Sequence, residues 1–247
     1  MKMQIDYLSD RGGRSENEDF CAYLKNDIYG CFLVADGLGG HRGGALASTV
    51  TGESILNAFN SNPGATEEHL RAYLEKAREK LGEITGDAGE AMTPKTTLVV
   101  LLTDNEHAVW AHVGDSRLYK FRKGKFKAKL TFQTKDHSVS QQLAASGEID
   151  PEDIRFHEDR NRLISVFDNS GNSRIEYYTN PDLLEKGDAF LLCSDGFWEY
   201  VFEREMEKCL TRSRTPKKWI ARMENKLLKR AEAGHDNYSA LAAMITG

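Results

Sequence analysis

Four aspartates stand where an apolar, strand-like run meets a turn, and this repeated pattern constrains the fold more than any other feature of the sequence. Asp36, Asp115 and Asp195 each close such a run, and Asp236 opens the last one. A strand rich in Val, Leu and Phe that ends in a carboxylate puts that carboxylate at one rim of a sheet. If the four rims coincide, the carboxylates converge on hard divalent cations, which prefer oxygen ligands. A single Asp-Gly pair would indicate only a hairpin turn.

Length and composition indicate one large domain. The chain has 247 residues, of which 40% are hydrophobic, and this is enough for a substantial core. The net charge of −5 argues against a general nucleic-acid binder, whose surface would be basic. Apolar runs such as residues 98–102 are too short to span a bilayer, and residues 1–10 contain no apolar segment typical of a signal peptide. We therefore expect a protein that binds neither nucleic acid nor membrane.

The four cysteines favour a reduced, cytoplasmic protein. They show no Cys-x-x-Cys spacing, which argues against a zinc site. Cys31 and Cys193 lie inside apolar runs, where a free cysteine behaves as a small hydrophobic residue. A cytoplasmic location is the simplest explanation of this usage.

Hydrophobic periodicity predicts many strands and two groups of helices. Strands are predicted over residues 3–9, 20–25, 28–35, 96–102, 107–113, 117–121, 126–132, 162–167, 174–179, 189–193 and 238–245. Helices are predicted over residues 42–60, 137–146 and 203–210. Two further helices are predicted, one after the Thr66 cap and one that begins at Pro216. Residues 148–161 are polar and show no regular pattern. This order of elements suggests a sandwich of sheets covered by helices.

An arginine precedes two adjacent carboxylates near the start of the chain. Arg14 stands four and five residues before Glu18 and Asp19. A guanidinium is a planar fork that matches two phosphate oxygens. Adjacent carboxylates can bind one metal ion directly and a second ion, or its waters, indirectly. Taken alone, however, such an acidic segment is more often a solvated turn.

The segment that contains Asp36 strengthens the metal hypothesis. A carboxylate at the end of a buried strand can bridge two cations, and Gly37 has no Cβ to keep its carbonyl out of the coordination shell. His41 follows after a short glycine-rich stretch, where it could protonate a leaving group. A surface histidine at the start of a helix is an equally good interpretation of His41.

Two cations bridged by carboxylates form a site suited to the hydrolysis of phosphate esters. Such ions neutralise the phosphoryl oxygens and lower the pKa of a bridging water, so that hydroxide attacks in line near neutral pH. The sequence contains no Cys-x5-Arg pattern that would indicate a nucleophilic cysteine. It also lacks the Gly-x4-Gly-Lys-Ser/Thr loop of nucleotide-binding proteins.

The order and wording of these segments resemble the metal-dependent protein phosphatases of type 2C, in particular the compact bacterial members. The resemblance runs nearly end to end and implies an α+β fold, a four-layer α-β-β-α sandwich with two antiparallel sheets flanked by helices. It implies a single phosphatase domain over residues 1–247. Seven motifs in the same order are the basis of the resemblance: Arg14-x-x-Asn-Glu-Asp19, Val34-Ala-Asp-Gly-Leu-Gly-Gly-His41, Thr96-Thr97, Val113-Gly-Asp-Ser-Arg117, Asp136-His-Ser138, Cys193-Ser-Asp-Gly196 and Asp236-Asn237.

Position by position, the resemblance also implies a set of metal ligands for Mn²⁺ or Mg²⁺. Asp36 would bridge two ions with the help of the Gly37 carbonyl, and Glu18 would act mainly through water. A third, weaker ion would be shared by Asp115 and Asp195. The remaining direct ligands of the two principal ions would be Asp19, Asp195 and Asp236.

The same resemblance implies a substrate contact and a mobile segment. Arg14 would hold the substrate phosphate, and His41 is the bacterial-type candidate for the general acid. Leu38 stands where animal members have a histidine. Residues 138–161 correspond to a mobile flap beside the active site. At residues 166–168 the chain reads Val-Phe-Asp where bacterial members commonly have Ala-Leu-Gly, which changes a local turn but no ligand.

The resulting hypothesis is a cytoplasmic, monomeric, Mn²⁺- or Mg²⁺-dependent enzyme that removes phosphate from phosphoserine and phosphothreonine in proteins by means of a metal-activated water. It would reverse the action of a Ser/Thr kinase, and its partners would be that kinase and its phosphorylated substrates. One alternative is a regulatory module that binds metal and phosphoprotein with little turnover. Another is a hydrolase of small phosphate esters. The complete set of expected carboxylates favours an active enzyme.

Residues 120–129 alternate positive and apolar side chains. This alternation predicts a hairpin with one solvated cationic face. The alternative is a docking surface for acidic or phosphorylated partners.

Overall fold

The computed structural model describes residues 2–39, 42–84 and 93–247. In chain order the strands are β1 (Met3–Asp10), β2 (Asp19–Lys25), β3 (Gly30–Leu38), β4 (Lys95–Thr96), β5 (Leu98–Thr103), β6 (His107–Val113), β7 (Arg117–Lys123), β8 (Ala128–Gln133), β9 (Glu176–Leu183), β10 (Asp188–Cys193) and β11 (Tyr238–Ile245). The α-helices are α1 (Arg42–Ser61), α2 (Glu67–Gly82), α3 (Val139–Ser146), α4 (Asp195–Trp198), α5 (Glu203–Thr211) and α6 (Pro216–Leu227), and a 3₁₀ helix covers Pro151–Phe156.

The strands form two antiparallel sheets. The first sheet has the order β1-β11-β10-β7-β8. The second has the order β2-β3-β5-β6-β9, and the short strand β4 pairs with β3. Neighbouring strands in both sheets run antiparallel.

Alternate residues of the central strands face two different hydrophobic cores. In β3, Leu33 packs in a core with α1 and α2, whereas Phe32 packs in the core between the two sheets. In β10, Leu191 packs in a core with α5 and α6, whereas Phe190 again faces the core between the sheets. Because both faces of these strands are buried, their sequences are continuously apolar rather than alternating. Three cores separate four layers, and the predicted α-β-β-α sandwich is confirmed.

Several helix ends follow the sequence signals. The Thr66 side chain accepts a hydrogen bond from the His69 amide at the start of α2. Pro216 occupies the first turn of α6, where its missing N–H costs nothing. Helix α3 ends at Gly147, whose φ of 82° is accessible to glycine without strain.

One predicted strand is wrong. Residues 162–167 form no ladder, and only two isolated bridges involve them, Thr96 with Phe167 and Ser138 with Leu163. The segment contains apolar residues because Phe167 is buried in the core beneath α2, while Ile164 is exposed. The apolar residues of this segment therefore anchor a loop at two points and do not form a strand. The 3₁₀ helix at Pro151–Phe156 and the short helix α4 were not predicted, because each is too short to show periodicity.

No helix in the described part of the chain is long and apolar enough to cross a membrane.

A buried carboxylate links β10 to β7 in the first sheet. The side chain of Asp188 is 0% exposed and lies 2.5 Å from Arg122 Nε and 3.6 Å from Lys120 Nζ. The Glu185 amide also donates to it, at 2.9 Å. A buried charge that loses its counter-charge is costly, so the sheet depends on this group.

We predict that Asp188→Ala lowers the free energy of unfolding by about 3–5 kcal/mol, because it leaves buried positive charge without this carboxylate. The matched control is Glu185→Ala, which removes the partly exposed partner of the same Arg122 and should cost only about 0–1 kcal/mol. Urea denaturation followed by circular dichroism measures both. Equal losses in the two variants would contradict the prediction.

Candidate active site

The strand order brings the predicted carboxylates to one rim. Strands β3 and β6 both pair antiparallel with β5, so their ends lie at the same edge, with Asp36 near the end of β3 and Asp115 just after β6. In the first sheet the end of β10 lies beside the start of β11, which brings Asp195 near Asp236. Asp19 pairs with Asp36 across β2 and β3.

These edges of the two sheets open into one acidic cleft of about 540 Å³. Five of the six predicted carboxylates line it together with Glu16 and an arginine, whereas the sixth, Asp19, is not among the lining residues. The lining residues are Arg14, Ser15, Glu16, Glu18, Asp36, Gly37, Leu38, Gly39, Asp115, Asn161, Leu163, Asp195, Asp236 and Asn237. Of the predicted site residues, His41 lies outside the described part of the chain.

Burial and mutual repulsion make the cleft costly to ionise. Burial raises the pKa of Asp36 well above its usual value, and the charges of Asp19, Asp195 and Asp115 raise it further. Burial likewise raises the pKa of Asp195, with repulsion from Asp115. These groups act on each other because they share a region from which water is largely excluded.

Two further carboxylates titrate near neutral pH. Burial raises the pKa of Asp19 to about 6, although the hydrogen bond from Ser194 opposes this shift. Burial and the charge of Asp136 raise the pKa of Asp115 to about 7. At neutral pH the cluster therefore favours binding of positive charge, in the form of protons or of cations.

The environment of Asp19 fits a divalent cation better than protons alone. Its Oδ2 accepts a hydrogen bond of 2.7 Å from the Ser194 hydroxyl, which in turn accepts one of 2.9 Å from the Ser239 amide. Its Oδ1 is buried and has no hydrogen-bond partner among the described residues. A buried carboxylate oxygen without a partner is expensive. A hard cation with oxygen ligands would satisfy it, so these residues fit Mn²⁺ or Mg²⁺.

Close packing explains the glycine after Asp36. A Cβ on Gly37 would lie 2.1 Å from the carbonyl oxygen of Gly44 in α1, and a Cβ on Gly44 would lie 2.2 Å from Glu18 Oε2. The Gly37 amide also donates to the Glu18 carbonyl at 3.1 Å. The sequence suggested only that Gly37 frees its own carbonyl. The structure adds that Gly37 and Gly44 let α1 approach the acidic rim.

Arg14 stands at the mouth of the cleft. Its Nη2 lies 2.9 Å from Asp236 Oδ2, and the two side chains are 55% and 44% exposed. Because both groups are so exposed, their pairing contributes only about 0–1 kcal/mol. The arginine can therefore exchange this carboxylate for an anionic ligand at little cost.

Asn237 fixes the segment that holds Arg14 and Glu18. Its Oδ1 accepts from the Glu18 amide at 2.8 Å, and its Nδ2 donates to the carbonyls of Arg11 and Glu16 at 2.9 and 2.8 Å. The N-terminal loop is thereby attached to the start of β11. This role of Asn237 could not be predicted from the sequence, in which its position beside Asp236 is the only signal.

Trp198 supports the loop that contains Asp115. Its Nε1 donates to the Asp115 carbonyl at 2.9 Å. The Arg117 guanidinium lies 3.4 Å from the centroid of the Trp198 ring and forms two buried hydrogen bonds, of 2.7 and 2.6 Å, with Asp136. Trp198 is buried in the core, and it also holds a cleft residue through its indole N–H.

The segment expected to be a flap contacts α4 and α5. Asn161, at its end, lines the cleft. Arg160 Nε lies 2.7 Å from Glu199 Oε1, and Arg155 Nη2 lies 2.6 Å from Glu203 Oε2. These pairs attach residues 155–160 beside the short helix that begins at Asp195. The movement of residues 138–161 during function stays a prediction.

Comparisons with known proteins cover nearly the whole chain. A model of the protein phosphatase 2C family matches residues 9–230. The serine/threonine phosphatase Stp of Listeria innocua is 33% identical over 220 residues, which cover 86% of this chain and 85% of that protein. The match to the family model includes Arg14, Asp36, Asp115 and Asp195, whereas Asp236 lies just beyond it.

Solved structures share the fold. The serine/threonine phosphatase Stp1 of Staphylococcus aureus superposes with a TM-score of 0.85 at 25% identity, covering 100% of this chain and 96% of that one. The catalytic domain of the serine/threonine phosphatase PstP, in complex with two manganese ions, superposes with a TM-score of 0.75 at 23% identity, covering 100% of both chains.

Without metal ions, the Asp36→Asn chain should unfold at a higher temperature than the parent at pH 8, with a smaller difference at pH 4.5. The pKa of Asp36 is raised in the folded state above 3.8. Its contribution to stability is therefore present below that value and lost as the pH rises through the folded-state pKa. Each kcal/mol of repulsion relieved should raise the melting temperature by about 2–4 °C.

Thermal unfolding in EDTA at the two pH values measures this effect. Asp27→Asn, at an exposed position outside the cleft, is the control and should show no such pH dependence. Added Mn²⁺ should stabilise the parent more than the Asp36→Asn variant. A difference between parent and variant that is the same at pH 4.5 and pH 8 would contradict the electrostatic explanation.

Proposed function

The chain belongs to the protein phosphatase 2C family, and on this premise we propose that it hydrolyses phosphoserine and phosphothreonine in proteins at the acidic cleft. The observation that supports the proposal most strongly is the convergence of buried carboxylates from both sheets beside an exposed arginine. Hard cations and a phosphate group are the ligands that this combination suits. Phosphorylated proteins are accordingly its substrates.

The ligands that we propose for the ions come from both sheets. Asp19, Asp36, Asp195 and Asp236 would hold two ions together with the Gly37 carbonyl, and Glu18 would act through water. Asp115 and Asp195 would hold a third, weaker ion. When bound, Mn²⁺ or Mg²⁺ would neutralise phosphoryl oxygens and lower the pKa of water at the site.

Arg14 would bind the phosphate group of the substrate. Its planar guanidinium can donate two parallel hydrogen bonds to phosphate oxygens, which a lysine cannot do. Its exposed pairing with Asp236 is weak enough to be exchanged for a substrate. Asn237 would keep Arg14 in position, because its three hydrogen bonds attach the loop to β11.

The leaving alkoxide of serine or threonine needs a proton. We propose His41 as the general acid, since it follows the Asp36 segment in the sequence and a histidine can donate a proton near neutral pH. The proposal rests on sequence position alone, because His41 lies outside the described residues.

We also propose a cellular setting for this activity. The phosphatase would act as a monomer in the cytoplasm and reverse the action of a Ser/Thr kinase. All four cysteines are free thiols, which suits a reducing compartment. The alternative of a binding module with little turnover is less favoured, because every carboxylate that the chemistry requires is present and the relatives are named phosphatases.

A phosphothreonine peptide tests the proposal. The parent should release phosphate only when Mn²⁺ or Mg²⁺ is present, and Asp36→Asn should lower kcat/KM by about 10³-fold or more, because it removes the charge at the centre of the ion site. Arg14→Lys should raise KM about tenfold, through loss of bidentate phosphate binding. Arg204→Lys, at an exposed position on α5, is the matched control and should change neither constant.

His41→Gln is measured in the same assay with two leaving groups. It should slow the hydrolysis of the phosphothreonine peptide far more than that of p-nitrophenyl phosphate, whose leaving group needs no proton. A folded, metal-loaded parent that hydrolyses neither substrate would contradict the proposal and favour the binding module.

A further inference from the structure

Positive charge is concentrated in two segments of the sequence. Residues 123–129 and 208–229 contain 12 Lys and Arg residues against a single Glu, whereas the rest of the chain contains 21 against 37 acidic residues. The net charge of −5 therefore conceals a strong separation of charge. A separated charge of this kind attracts a partner of opposite sign.

The longer of these segments forms a concave surface. A groove of about 260 Å³ lies between α5 and α6, and we call it the basic groove. Five of its seven lining residues are Lys or Arg. Its lining residues are Lys208, Cys209, Arg212, Arg222, Asn225, Lys226 and Lys229.

Most cations of the basic groove have no carboxylate to neutralise them. Lys226 lies 3.1 Å from Glu205, which also pairs with Arg230. Among the described residues, no acidic side chain forms an ion pair with the other four cations of the groove, Lys208, Arg212, Arg222 and Lys229. These four are also exposed. Like charges held side by side without counter-ions are unfavourable, and an anion would relieve the repulsion.

A buried thiol at the base of the groove reports the same field. Burial raises the pKa of Cys209 and the charge of Glu205 adds to this rise, whereas the charges of Lys226, Arg222 and Arg212 oppose it. Lys226 and Arg222 on α6 and Arg212 just after α5 thus line the groove near one thiol. That convergence is what distinguishes the groove from scattered surface lysines.

The β7–β8 hairpin extends the cationic surface. The Ala128 amide donates to Thr211 Oγ1 at 2.8 Å, and Lys123 Nζ donates to the Ser213 carbonyl. The hairpin therefore lies against the end of α5.

We propose that the basic groove is a docking site for a second, negatively charged phosphorylated segment of the protein substrate, separate from the cleft in which phosphate is removed. The proposal rests on the proposed function, because a phosphatase of proteins meets substrates with several phosphates. Arg212 and Arg222 offer guanidinium forks that match phosphate oxygens. A concave groove of this size suits a phosphorylated side chain better than it suits a flat lipid surface.

One flexible substrate can reach both sites. Asp195, in the cleft, begins α4, and Lys208, in the groove, lies on α5. The path along the chain from Asp195 to Lys208 runs through α4, four connecting residues and part of α5, so the two residues are at most about 30 Å apart. An extended peptide spans at most about 33 Å in ten residues. A second phosphate about ten residues from the first is therefore the spacing to test.

The test uses a peptide with one phosphothreonine and, ten residues away, a non-hydrolysable phosphonate analogue of phosphoserine. For the parent, the phosphonate should lower KM about five- to tenfold relative to the same peptide without it, and leave kcat unchanged. Arg212→Glu combined with Arg222→Glu should abolish this advantage. The same double variant should hydrolyse p-nitrophenyl phosphate at the rate of the parent.

The matched control is Lys76→Glu combined with Lys80→Glu, which makes the same change of charge on exposed positions of α2. It should keep the KM advantage. An equal loss in both double variants would overturn the proposal in favour of a general charge effect. Loss of binding to phosphatidylserine vesicles in the groove variant, with unchanged peptide kinetics, would also overturn it and assign the surface to membranes.

Fluorescence anisotropy with a labelled peptide that carries only the phosphonate separates this proposal from the proposed function. Binding to the parent that is lost in the groove variant supports docking even if no substrate turns over. Turnover of phosphothreonine peptides without any binding of the phosphonate peptide would overturn docking alone.

Discussion

Repulsion among buried carboxylates at a shared rim is the constraint on which the rest of the structure depends. Burial and neighbouring charges raise the pKa of Asp36 and Asp195, and burial raises those of Asp19 and Asp115 to about 6 and 7. A fold that gathers such groups loses stability at neutral pH when no cation is bound among them. Divalent cations can reverse this loss, so the same carboxylates that destabilise the metal-free chain would bind the ions that catalysis needs.

The sandwich holds the carboxylates in place through groups that are not themselves charged. Ser194 orients one oxygen of Asp19, Asn237 attaches the N-terminal loop to β11, and Trp198 holds the Asp115 carbonyl. Each of these contacts joins elements that are far apart in sequence. Hydrogen bonds to the residues that bind a metal fix the orientation of these ligands, and their loss typically weakens metal binding. The three hydrophobic cores supply the stability that offsets the repulsion among the carboxylates at the rim.

The sequence predicted the features that depend on the local pattern of residues, namely individual strands and the aspartates at their ends. Asp36, Asp115 and Asp195 were recognisable because each ends an apolar run, and β6 and β11 were predicted with their observed bounds. It could not predict that Gly37 meets Gly44, or that the Trp198 indole reaches Asp115, since these contacts depend on tertiary packing. Residues 162–167 were taken for a strand because an apolar segment does not reveal whether a partner strand exists. The basic groove was missed because its cations come together only when α5 packs against α6.

Crystals grown with Mn²⁺ and measured at the manganese absorption edge test the central claim most directly. We expect two anomalous peaks in the acidic cleft, with the Asp36 carboxylate between them and Asp19, Asp195 and Asp236 in contact with one ion or the other. A well-ordered crystal at saturating Mn²⁺ with no anomalous peak in the cleft would contradict it. The clustered carboxylates would then be protonated groups of the fold rather than metal ligands.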